Sequence, residues 1–117
     1  MITEDYVSFE TAKLLKEKGF DESTYHDYDE EGKRWFEEVL VCHNSEGGIA
    51  CPTLQMAMKW LREVHNIAIE TEWEHLWYAY IKPMTSKPFE EDCYQCGSSK
   101  YEEACETAIR YSLENLI

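Results

Sequence analysis

Residues 52–81 join an amphipathic helix directly to a run of alternating apolar residues, and that junction commits the chain to an α+β fold. Leu54, Ala57, Met58, Leu61 and Val64 recur at helical spacing, which gathers them on one stripe expected to be buried. Beyond Asn66 the period drops to two, with Ile67 and Ile69 on one side of a strand and Tyr78 and Tyr80 on one side of the next. Pro52 reads as a first-turn residue of the helix, where its missing N–H has no partner to lose. Met56 and Trp60 widen the apolar face, so this helix is expected near the centre of the molecule, covered on both flanks.

The same reasoning extends to both ends. A first helix over 9–18 follows Ser8, whose hydroxyl can accept from a free N–H of the first turn, and closes at Gly19 with Phe20 folding back. Strands over 25–28 and 34–42 flank a loop in which Gly32 supplies the positive φ of a short hairpin. Residues 35–36 and 39–41 lack clean alternation, which implies either cover on both faces or a bulge. A loop occupies 44–48, a second hairpin spans 67–71 and 75–82, and the connection 83–100 has room for one short strand. The last helix, over 101–116, carries a Ser99-x-x-Glu102 capping box. The order α-ββ-α-ββ-α predicts a single domain over 1–117: one antiparallel sheet of about four strands, with three helices mainly on one face. A chain of 117 residues can bury such a core without disulfides or a structural metal.

Charge narrows the partners. With 24 acidic and 11 basic side chains the net charge is −13, a field that repels phosphate backbones and anionic lipid. No nucleic acid and no membrane are therefore expected as partners. No apolar run reaches the ~20 residues that cross a bilayer, and the first residues read as no signal peptide, so a cytoplasmic location is expected. The acidity itself has two readings: solubility, or an acidic face for a basic partner that could also mimic nucleic-acid charge.

The five cysteines are Cys42, Cys51, Cys93, Cys96 and Cys105, an odd number that argues for reduced thiols. Cys93 and Cys96 have the C-x-x-C spacing of zinc knuckles and redox dithiols. Zinc needs a second pair, and neither Cys42-His43 nor Cys51 supplies one easily, since adjacent strand residues point to opposite faces. A redox pair normally opens a helix after a strand, whereas this one reads as part of a polar loop before Gly97. His26, His43, His65 and His75 show no spacing to a nucleophile, and the paired carboxylates are sequence neighbours that splay apart. No catalytic residue and no cofactor are assigned.

Segments 6–20 and 52–67, with 101–104 and 109–117, are similar to small proteins encoded in Bacteroides-type gut bacteria and their phages or mobile elements. The resemblance covers about half of the chain and implies a genomic setting, with no assigned biochemical activity. Residues 72–75 and 84–99 lie outside it, so the resemblance does not extend to Cys93 and Cys96.

Trp35, Phe36, Trp60, Trp73, Trp77, Tyr78 and Tyr80 exceed what one small sheet face needs, so some are expected at a groove or an oligomer contact. The first reading is a non-enzymatic protein that binds another protein or itself, through the sheet edge or through Trp73 and Trp77. The alternative is a small metal- or redox-responsive module built on Cys93 and Cys96. An enzyme is the less favoured class.

Overall fold

The computed structural model describes residues 1–84 and 94–117; Cys93 lies outside the described residues. Helix α1 covers Phe9–Glu17 and starts as its sequence requires, with the Ser8 hydroxyl accepting from the Thr11 N–H at 3.2 Å. It closes on Gly19, whose φ of 96° only glycine adopts without strain. The Gly19 N–H then reaches the Lys16 carbonyl and the Phe20 N–H reaches that of Leu15. This turn drives Phe20 into the core against Trp60, with ring centroids 5.5 Å apart.

Strands β1 (Thr24–Tyr28) and β2 (Arg34–Val41) form the first hairpin. Its loop is organised by Asp29, whose carboxylate accepts from the N–H groups of Glu31 and Lys33 at 2.9 Å each. A short strand β3 (Ile49–Ala50) pairs with the other side of β1. Two residues are too few to show a period, so β3 has no pattern in the sequence. It is held instead by Asn44, which donates to the Phe20 carbonyl at 2.7 Å and accepts from the Ala50 N–H at 2.8 Å.

Helix α2 covers Leu54–His65 and is capped by Thr53, whose hydroxyl accepts from the Met56 N–H at 3.0 Å. Pro52 therefore stands before the cap, not in the first turn as expected; its carbonyl accepts from the Val7 N–H, which ties the N-terminal segment to the helix start. Leu54, Ala57, Met58, Trp60 and Leu61 are buried. Val64, expected among them, is 54% exposed, because the last turn extends past the cover that closes over Leu61. Asn66 ends the helix in the left-handed region, at φ 56°.

Strands β4 (Ile67–Trp73), β5 (Trp77–Pro83) and β6 (Tyr94–Ser98) form a second antiparallel sheet in the order β4-β5-β6. Helix α3 (Tyr101–Asn115) lies across it and also packs on α1 and α2. Ala104, Cys105, Ala108, Ile109 and Leu113 of α3 join Ile67, Ala79 and Ile81 of the sheet in one core. The expected Ser99-x-x-Glu102 box does not form: the N-cap of α3 is Lys100, which makes no side-chain cap bond. Ser98, not Ser99, accepts from the Lys100 N–H at 3.1 Å and donates to Glu103 at 2.7 Å.

The class is α+β; among the described residues there are three helices, and the strands form two three-stranded sheets, not one sheet of four. The short strands account for the difference. β3 takes the second edge of β1 and β6 takes the second edge of β5, so each hairpin completes a sheet of its own.

Candidate functional site

The register of the first hairpin breaks at one point. His26 faces Phe36, Asp27 faces Trp35 and Tyr28 faces Arg34, yet Thr24 faces Val41. Tyr25 alone on β1 is thus opposed by residues 37–40 of β2, a bulge in that strand. β2 is the edge of its sheet, and its residues from Arg34 to Leu40 are all exposed. Phe36 is 63% exposed, Val39 64% and Leu40 57%. The irregular apolar pattern of 35–41 therefore marks the bulge, not a strand covered on both faces.

Behind this edge the sheet faces the start of α2 across a groove of about 480 Å³. One wall carries Tyr25, His26, Phe36 and Leu40, and the other carries Pro52, Thr53 and Met56, with Tyr6 between them. Met56, expected to extend the buried face of α2, turns to this groove and stays exposed, since it lies opposite the stripe of Leu54, Ala57 and Leu61. The floor is aromatic. The rings of Tyr6 and His26 lie 4.4 Å apart and those of His26 and Phe36 5.2 Å apart, while the Arg34 guanidinium covers Tyr6 at 4.2 Å. Burial holds the His26 imidazole below its ordinary pKa, and the Arg34 charge pushes the same way.

Trp73 and Trp77 are brought together as direct cross-strand partners at the tip of the second hairpin. Trp77 is half-buried, with Tyr101 edge-on to it at 5.1 Å. Trp73 is 61% exposed and lies beside His75, a turn residue at φ 65°.

Cys96 sits in β6 opposite Ala79, not in a loop, and its thiol donates to the Ala104 carbonyl at 3.3 Å. Burial raises its pKa, the opposite of what a nucleophilic or metal-binding thiolate needs. Burial also pushes the Cys51 thiol up to about 11 and raises that of Cys105. Among the described residues no group of three or more His, Cys, Asp and Glu side chains could hold a metal ion.

The fold makes one pairing that spacing does not reveal. His43 is buried with Nε2 3.2 Å from the Thr24 carbonyl and Nδ1 3.8 Å from the Asp27 carboxylate. The ring fastens the turn after β2 onto β1. Its neighbour Cys42 is tied elsewhere, donating to the Asp21 carbonyl at 2.7 Å. A second groove, of about 460 Å³, is lined by Ser8, Tyr28, Glu102, Glu106 and Arg110 among others. Glu106 is committed there to the N-terminus of α1.

No family model, no curated protein and no solved structure matches the chain. Among the described residues, no helix is long and apolar enough to cross a membrane.

Proposed function

We propose that this chain is a non-enzymatic interaction protein of a bacterial or phage accessory gene set, acting in the cytoplasm. It binds another protein through the outer face of its first hairpin. The observation that carries this reading is the β2 edge, where Phe36, Val39 and Leu40 stay in water next to an aromatic-floored groove. Large apolar side chains left in water beside a groove are the kind of surface that binding sites use. The bulge and the acidic Glu37 and Glu38 protect the same edge against indiscriminate strand pairing. Trp73 is a second anchor at the far hairpin, exposed and stiff enough to lose little entropy on binding. The setting comes from the resemblance of segments 6–20 and 52–67 to small proteins of gut bacteria and their mobile elements.

The metal- or redox-responsive alternative on Cys93 and Cys96 gains no support from Cys96, whose thiol is engaged and raised in pKa. The charge of −13 favours a protein over a nucleic acid as the partner.

A photo-reactive residue placed at Leu40 in the native host tests the reading. Discrete adducts are expected from Leu40, diminished by Phe36→Ser, and none from a control position at Glu17 on α1. Indistinguishable labelling from the two positions would sink the proposal.

A further inference from the structure

We infer that the groove between β2 and the start of α2 receives a basic, amphipathic segment of another protein, an inference that rests on the interaction reading above. The walls supply apolar contact through Phe36, Leu40 and Met56. Around it the acidic side chains Glu4, Glu37 and Glu38 outnumber the Arg34 guanidinium. Among the described residues Glu4 lines the groove and no lysine or arginine does, and the bulge holds Glu37 and Glu38 exposed in the stretch that runs to Leu40. Of the two cations nearest in sequence, Lys33 lies over the Trp35 ring at 4.2 Å, and Arg34 lies over Tyr6 and keeps its charge there.

This pattern selects among occupants. A second copy would bring another −13 and another pair of bulge carboxylates against the first, which like-charge repulsion disfavours. Nucleic acid and anionic lipid meet the same repulsion. The bulge also interrupts the free edge of β2 after Phe36, so the occupant docks by side chains rather than as a further full-length strand. Its leucine-like side chains rest on Phe36, Leu40 and Met56, and its lysines or arginines face Glu4, Glu37 and Glu38.

Three short synthetic peptides of equal length test this: alternating Lys-Leu, alternating Gln-Leu and alternating Lys-Gly. Calorimetry on the intact protein is expected to show binding of the Lys-Leu peptide only, weakening steeply as salt rises towards about 0.15 M. Leu40→Ser and Met56→Ser should each weaken it by about tenfold or more, roughly the loss of one good apolar contact. Glu37→Gln with Glu38→Gln should weaken it several-fold without touching the apolar walls. Thermal melts confirm that each variant is folded, and Leu40 and Met56 are exposed enough that they should be.

Equal binding of the Gln-Leu peptide would overturn the charge requirement, and equal binding of the Lys-Gly peptide would overturn the groove. A dimer that appears with concentration and is lost in Leu40→Ser would make the occupant a second copy and overturn the inference. If none of the peptides binds while Leu40 still cross-links in cells, this inference fails and the interaction reading stands. If Leu40 gives no adduct either, both fall.

Discussion

The Glu106 carboxylate, in the second turn of α3, accepts from the backbone N–H of Ser8 at 2.9 Å. In a capping box that N–H is satisfied by a side chain three residues further along the same helix. Here that position is Thr11, whose own hydroxyl also donates to Glu106. A residue 98 positions away thus does the work of a local cap, and its negative charge sits where the α1 dipole is positive.

Removing that carboxylate with Glu106→Ala should cost about 2 kcal/mol, the usual loss for charge-assisted hydrogen bonds to partly buried donors. Glu106→Gln should recover part of it. Urea unfolding measures both; a change below about 0.5 kcal/mol for the alanine variant would show that water replaces the contact.

Leu61 and Val64 lie on one helical stripe but in different surroundings, one buried and one exposed. Leu61→Ala should destabilise the fold by ~2–5 kcal/mol, whereas Val64→Ala should stay within about 0.5 kcal/mol of the parent. Equal losses from the two would mean that Val64 is covered.

Alkaline pH should weaken the fold. The Cys51 thiol rises from 9.0 to about 11 because burial disfavours its charged form. Between those values the unfolded chain gives up its proton first, so stability is intact below pH 9.0 and falls as pH climbs to about 11. Tyr28, Cys96, Tyr101 and Cys105 shift the same way. Unfolding curves across this range should therefore slope downwards, less steeply in Cys51→Ala, and an unchanged slope in that variant would contradict the assignment.

Acid should weaken it too, through His26. Its folded pKa is depressed below 6.5 by burial first and Arg34 second, so the unfolded chain binds the proton more readily. Stability contributed by the neutral ring is present above 6.5 and declines as pH falls through that value and below. An NMR titration should place the His26 midpoint under 6.5, and a midpoint above it would remove the ring from the closed aromatic floor.

Both helix boundaries of α1, the burial of Leu54, Ala57 and Leu61, and the stop at Asn66 were legible in the sequence. The groove was not. Its walls come from the N-terminal segment, the first hairpin and the start of α2, and Met56 looked like core because helical spacing cannot tell how far the cover extends. The broken alternation of residues 35–41 pointed to the bulge but left open which side chains it would expose.

By itself the sequence determined most of the local structure: among the described residues, the three helices, the Ser8 cap and Gly19 close of α1, the stop at Asn66 and the two hairpins. Those depend on contacts a few residues apart, where periodicity, a capping hydroxyl and a positive φ act directly. Only the tertiary structure decided that the strands divide into two sheets, that Glu106 closes α1, and that Val64, Phe36 and Leu40 remain in water. A strand edge accepts any partner of suitable length, and a side chain is buried only if a distant segment arrives to cover it. Both outcomes are settled by long-range packing, which no local pattern records.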